Sequence, residues 1–185
     1  DTPGLPGTTL ELGFSRWTAR EIEPTAWWFG PDGTLVRKRS QSGDDGVDAY
    51  HPDPAARPQQ TLPGDGSADS WVVMPPYDWR PFVDDTAVAY TTAELDDDVT
   101  IVGPGSVDLW LRSSAADSDL QVTLSEVRPD GLETYVQSGW LRASHRKLGR
   151  QKSTAFDPRH THLERDARPL PEGRFTKVRV GLLAV

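Results

Sequence analysis

From Ser106 to Arg112 two residue patterns interleave. Val107, Leu109 and Leu111 occupy every second position, and Asp108, Trp110 and Arg112 fill the gaps. Successive side chains point to opposite sides only in an extended chain, so this alternation predicts a strand with one face on a core and one toward water. The same period returns in Leu120, Val122 and Leu124 against Gln121, Thr123 and Ser125, and again in Val178, Val180 and Leu182. Arg128-Pro129-Asp130-Gly131 is a strong turn signal, because Pro presets one backbone angle and Gly accepts a positive one. It predicts an antiparallel hairpin of Asp119–Val127 on Glu133–Leu141. Three period-two runs and no sustained helical period make this an all-β chain, read as a β-sandwich.

The rest of the chain fits that class. The 16 Gly and 16 Pro are spread along its length, as expected for many short strands joined by turns. A second hairpin is predicted early on, with Trp27-Trp28-Phe29 turning at Gly30-Pro31-Asp32-Gly33 into Thr34-Leu35-Val36. Further short strands are predicted over Thr86–Thr92, Val99–Val102 and Phe175–Val185. Residues 1–24, broken by Pro3, Pro6 and Pro24, read as a connector, and residues 25–185 as one sandwich domain. Two long polar loops interrupt it, at about 40–70 and 144–173. Loops of this length in a compact domain are usually functional or lie over a neighbour. The chain starts without Met and stops inside the apolar run Gly181–Val185. The expectation is therefore a piece of a longer protein, truncated at its C-terminal end.

Composition removes several functions. A net charge of −8 opposes a nucleic-acid partner, since a phosphate backbone needs a basic face. No apolar run approaches the ~18 residues of a membrane span, so no membrane partner is expected. Without cysteine there is neither a disulfide nor a thiolate metal site. A hydrolase nucleophile needs Gly-x-Ser-x-Gly, where the glycines let a strained turn pass close to the helix behind it. The nearest approach is Gly13-Phe14-Ser15-Arg16-Trp17, which lacks the second glycine. No catalytic residue is assigned, and no cofactor is expected.

Three features remain as candidates for binding. His160 and His162 fall on one side of an extended segment near Asp157 and Glu164, which makes them weak metal-ligand candidates. The commoner use of such a pair is to brace a loop by hydrogen bonds to backbone carbonyls. The acidic clusters Asp44-Asp45, Asp84-Asp85, Asp96-Asp97-Asp98 and Asp117/Asp119 lack calcium-loop spacing and read as solvated turns. Seven tryptophans are the third feature. An exposed indole either stacks on a sugar or is buried by a partner domain. Trp28, Leu62, Trp71 and Trp79 are the candidate docking or ligand surface.

An ordered series of segments carries a resemblance. It runs through Tyr90-Thr91-Thr92-Ala93-Glu94-Leu95, Val99-Thr100-Ile101-Val102-Gly103-Pro104 and Val107-Asp108-Leu109-Trp110-Leu111. It continues through Ser113–Asp119, Val122–Val127 and Arg128-Pro129-Asp130-Gly131 to Gly139-Trp140-Leu141-Arg142-Ala143-Ser144-His145-Arg146. This series resembles the C-terminal domain of the X-prolyl dipeptidyl-peptidase and cocaine-esterase (CocE/NonD) group of serine hydrolases. The resemblance implies a jelly-roll sandwich of the galactose-binding-like kind. It also implies partners within the parent enzyme, namely an α/β-hydrolase domain bearing the Ser-His-Asp triad and a helical cap, with self-association as a further option. None of the triad residues maps onto this chain. Tyr77-Asp78-Trp79-Arg80-Pro81-Phe82 departs from the family pattern, so no pocket residue is carried over. The alternative is a free-standing carbohydrate-binding sandwich that uses exposed Trp.

Overall fold

A computed structural model of the chain describes residues 13–15, 22–39, 46–53, 82–83 and 85–185. The chain divides into two compact units, Asp1–Thr100 and Ile101–Val185. Among the described residues the regular structure is strand and short 3-10 turn, which makes the chain all-β.

In the first unit, β1 (Trp28–Phe29) and β2 (Thr34–Val36) form the predicted hairpin, with Trp28 opposite Val36 and Phe29 opposite Leu35. Pro31–Gly33 make one 3-10 turn between them. Gly30 N–H donates to the Thr34 carbonyl at 2.8 Å, and the Thr34 hydroxyl to the Pro31 carbonyl at 2.8 Å. Asp32 and Gly33 both sit at positive φ, and a Cβ on Gly33 would also come within 3.0 Å of the Ala89 carbonyl oxygen. Glycine is what that position accepts. A third strand, β3 (Thr91–Thr92), pairs with β2 in parallel, Thr34 opposite Thr91.

The strand expected over Thr86–Thr92 is thus shortened to its last two residues. Its first part is a turn, in which the Thr86 amide and hydroxyl both donate to the Val83 carbonyl, at 3.1 and 2.6 Å, after Asp85 at positive φ. Val99–Val102 is not a strand, and Val99 and Ile101 stay exposed. Two alternating apolar residues do not make a strand unless a neighbouring edge takes up their backbone groups.

The second unit holds the long strands. β4 (Gly105–Leu111) pairs antiparallel with β7 (Thr176–Leu182), and β5 (Asp119–Val127) with β6 (Glu133–Arg142). The second pair is the predicted hairpin. Its turn is locked by Gly131 N–H on the Arg128 carbonyl at 2.9 Å and by an Arg128–Asp130 ion pair at 2.7 Å. A bulge shifts the register between Leu124 and Ser125, opposite Gln137 and Tyr135. Most of the predicted inward residues meet, joined by Leu141, while Val107, Leu124 and Leu182 stay outside the cluster. Leu120, Leu141, Val178 and Val180 form a buried cluster, and Leu109, Leu111 and Val122 pack against it. The two strand pairs approach most closely where β6 meets the end of β7. A Cβ on Gly139 would overlap the Gly181 carbonyl oxygen, and Leu183 N–H donates to the Ser138 carbonyl at 3.2 Å.

The loop at 144–173 is far more ordered than its polarity suggests. Two 3-10 turns, Ala143–His145 and Glu164–Asp166, and a bridge between Leu148 and His160 give it shape. The Arg146 guanidinium ties its ends together, donating to the carbonyls of Ala143 at 3.0 Å, Arg168 at 2.5 Å and Pro169 at 3.2 Å. Asp117 receives the amides of Ser118 at 2.9 Å and Ser144 at 2.8 Å on one oxygen. Burial opposes the charge on Asp117, but the Ser144 hydroxyl and these amides outweigh it and hold its carboxyl below the ordinary range. Leu170 closes the loop by burying its side chain and donating its amide to the Ala116 carbonyl at 2.7 Å.

Candidate functional site

Of the four residues expected on a docking or ligand surface, Trp28 is described. Leu62, Trp71 and Trp79 lie outside the described residues, as does most of the loop at 40–70. Trp28 is 43% exposed on β1, with the Arg39 guanidinium 5.6 Å from its ring centre. Its neighbour Trp27 is half-buried and carries Arg37 at 4.6 Å. Adjacent strand positions face opposite ways, and each indole here has its own cation. Beside them Phe29 and Tyr90 stack at 4.3 Å, and the Tyr90 hydroxyl donates to Asp48 at 2.5 Å. Burial and that bond to a carboxylate both push the Tyr90 phenol above its ordinary range. The first unit thus presents an aromatic ridge fringed by two arginines.

The second unit exposes two indoles that the sequence reading did not nominate. Trp110 on β4 is 68% exposed and Trp140 on β6 is 59% exposed. The signal was in the alternation itself. Trp110 falls in the polar phase with Asp108 and Arg112, and Trp140 lies opposite Gln121. A tryptophan in the outward phase of a strand is an indole that the domain's own core does not cover. Around Trp110 the face of β4 and β7 is charged. Asp108 takes both Nε and Nη2 of Arg179, the latter at 2.6 Å, and Lys177 at 2.9 Å. The Arg179 hydrogen bond, against a smaller opposing effect of burial and with help from Lys177, lowers the Asp108 carboxyl to about 2. Two cations on one carboxylate leave this face net positive in a chain of net charge −8. Arg112 lies over Phe175 at 4.8 Å beyond Trp110.

His160 and His162 do come together, with ring centres 5.8 Å apart, and His145 lies 6.0 Å from His162. Among the described residues no three His, Asp or Glu side chains are placed to hold one metal ion. His160 is half-buried, its Nε2 is enclosed without a hydrogen-bond partner, and burial first and His162 second lower its affinity for a proton. A shallow polar cleft near it is lined by Arg146, Lys147, Asp166 and Arg168. Its charges are already engaged. Lys147 pairs with Asp166 at 2.5 Å, and both arginines donate to backbone carbonyls. Among the described residues no helix is long and apolar enough to cross a membrane.

Fold and surface together define the class: an all-β module with outward-facing indoles on its long strands. The comparisons give the family. The family described as the X-Pro dipeptidyl-peptidase C-terminal non-catalytic domain matches residues 6–185, and the chain belongs to it. The chain is 28% identical over 182 residues to a candidate serine esterase of Mycobacterium bovis, covering 91% of this chain and 28% of that protein. It is 35% identical over 119 residues to the cocaine esterase of a Rhodococcus species, covering 62% of this chain and 20% of that enzyme. A crystal structure of a CocE/NonD family hydrolase from Staphylococcus aureus aligns at a TM-score of 0.42 and 28% identity, over 45% of this chain and 17% of that one. The chain therefore spans under a third of the length of the curated relatives it matches.

Proposed function

We propose that this chain serves as the docking module of a serine hydrolase. In this reading residues 1–24 are the connector, and residues 25–185 form the jelly-roll sandwich that packs on the hydrolase and cap domains and shapes the substrate entrance. The parent would cleave ester or amide bonds, X-prolyl peptides among them, through an acyl-enzyme formed on a serine of its catalytic domain. The observation that carries this reading is the family match over residues 6–185 of a chain that corresponds to 28% of its Mycobacterium bovis relative. The exposed indoles support it, since large outward aromatics on a module of this kind call for a covering surface. Trp28, Leu62, Trp71 and Trp79 remain the residues proposed for that contact, and Trp110 and Trp140 join them.

The test sets this chain beside the intact Rhodococcus cocaine esterase, with a short-chain chromogenic ester and a serine-reactive phosphonate. The expected result is turnover and label on the control alone. Stoichiometric labelling of one serine in this chain would overturn the non-catalytic assignment. Submillimolar binding to a glycan that is lost in Trp110→Ala would instead favour the carbohydrate-binding alternative.

A further inference from the structure

By the register of β4 and β7, Ser106 and Gly181, Asp108 and Arg179, and Trp110 and Lys177 form successive pairs on the outer side of this strand pair. The first pair is covered by the chain itself. The Ser106 hydroxyl donates to the Ala155 carbonyl at 2.7 Å, and Pro158 is buried where a Cβ on Gly181 would come within 3.0 Å of its ring. The other end is open, and Trp110, Lys177, Arg112 and Phe175 are all exposed there. Three cations, Arg112, Lys177 and Arg179, share that end with one carboxylate, Asp108, which Lys177 and Arg179 both engage. Arg112 lies over the Phe175 ring and has no carboxylate partner among the described residues.

The rest of the chain does not share this charge. Ile101–Val185 holds 13 Lys and Arg against 10 Asp and Glu, a net +3, whereas Asp1–Thr100 holds 7 against 18, a net −11. The acidity of the whole chain thus belongs to its first part. The outer face of β5 and β6 gives a contrast inside the second unit. There Trp140 lies opposite Gln121, and Asp119 pairs one to one with Arg142 at 2.7 Å. That indole sits on a neutral face, and Trp110 sits on a cationic one.

We propose that the Trp110 face docks an acidic protein surface, one that sets carboxylates beside an apolar side chain. The inference rests on the docking reading above and names the chemistry of what docks. The partner's apolar group covers the indole, and its carboxylates pair with Arg112 and Lys177. Both cations are exposed, so a carboxylate reaches them while Asp108 keeps Arg179. Tryptophan and arginine are the side chains that most often dominate the binding energy of an interface. The surrounding charge selects the partner, because it attracts an acidic surface from a distance and penalises a basic one at contact. A neutral glycan has no use for three cations around one carboxylate.

Fluorescence anisotropy of a labelled peptide in which glutamate alternates with leucine, titrated with the 185-residue chain, tests the face. The same peptide with glutamine or lysine in place of glutamate is the comparison. The acidic peptide should bind about tenfold tighter than the glutamine one, and the lysine one should bind most weakly. Trp110→Ser should weaken the acidic peptide about tenfold, the scale of a central aromatic anchor. Lys177→Gln and Arg112→Gln should each weaken it severalfold and flatten its salt dependence. Arg165→Gln removes an exposed cation from the turn Glu164–Asp166 and should change nothing. Should W110S fold poorly, K177Q and R112Q decide, since both change exposed side chains. Equal binding of the acidic and glutamine peptides, or of neither, would overturn the acidic partner, as would a loss in R165Q as large as in K177Q. A single-stranded DNA held as tightly by the same residues would overturn it in favour of a general polyanion site. A salt-sensitive dimer in sedimentation that W110S abolishes would overturn it in favour of a second copy. Failure of the docking reading itself shows separately, as a labelled serine or as a glycan that displaces the peptide.

Discussion

The two units solve the same problem with different means. In Ile101–Val185 four strands of seven to ten residues supply inward alternation long enough to close a core. All the buried hydrophobic residues among those described belong to it: Leu120, Leu141, Ala143, Leu170, Val178 and Val180. In Asp1–Thr100 the described strands have two or three residues, and Trp28, Phe29 and Val88 stay largely exposed. There the described residues are joined by a turn, an aromatic stack and a phenol–carboxylate bond. Burial scales with ladder length, because each added pair of residues contributes one more side chain to the inner face. The difference teaches that, among the described residues, burial is concentrated late in the sequence, whereas the aromatic ridge of the early part is surface.

The largest expected effect breaks the second unit. Leu141→Ala removes a buried side chain from the four-residue cluster and should cost about 3 kcal/mol in urea unfolding followed by tryptophan fluorescence. Gly139→Ala should cost about as much without deleting anything, since the new Cβ collides with the Gly181 backbone rather than with a flexible side chain. A loss below about 0.5 kcal/mol in both would mean that the crossing of β6 and β7 yields easily. Phe29→Ala in the first unit, by contrast, removes a half-exposed ring stacked on Tyr90 and should cost about 1 kcal/mol.

A smaller effect comes from Asp117, which joins strand and loop through the Ser118 and Ser144 amides. Asp117→Ala should cost about 1.5 kcal/mol, the usual scale for hydrogen bonds to a charged acceptor. The pH dependence has a definite sign. The folded carboxyl binds its proton less readily than the unfolded one, so the stabilisation is complete above the ordinary carboxylate range. It is lost as pH falls through the lowered folded value. Acid unfolding curves of wild type and D117A should therefore converge at low pH, and parallel curves would refute the assignment.

The sequence was most legible where one local rule acted alone. Alternation located β4, β5 and β7 to within a few residues and placed Val178 and Val180 inside. Pro-Asp-Gly located both hairpin turns. Alternation failed at Val99–Val102, where no edge among the described residues takes up the backbone. It also missed the parallel pairing of β2 with β3, which joins residues more than fifty positions apart and leaves no local trace. The order within the loop at 144–173 was invisible for a related reason. Arg146 and Asp117 are ordinary polar residues in sequence, and their value comes from carbonyls and amides that only the fold brings within reach. At the candidate site the resemblance named the family, but it did not single out Trp110 or Trp140.

Trp110 is where the comparison between stability and surface is sharpest. It sits one residue from the end of β4 in the well-packed unit, opposite Lys177, yet its side chain lies outside the core. If that indole serves the fold, Trp110→Ser should weaken the chain as a core mutation does. If it is there to be covered, the same change should move the unfolding free energy of this chain by no more than about 0.5 kcal/mol, the range of ordinary surface substitutions. The charged neighbours argue for the second outcome, because Asp108, Lys177 and Arg179 satisfy one another without it. Urea unfolding of W110S decides between the two. A loss above about 1.5 kcal/mol would make Trp110 a structural residue and remove it from the proposed docking face.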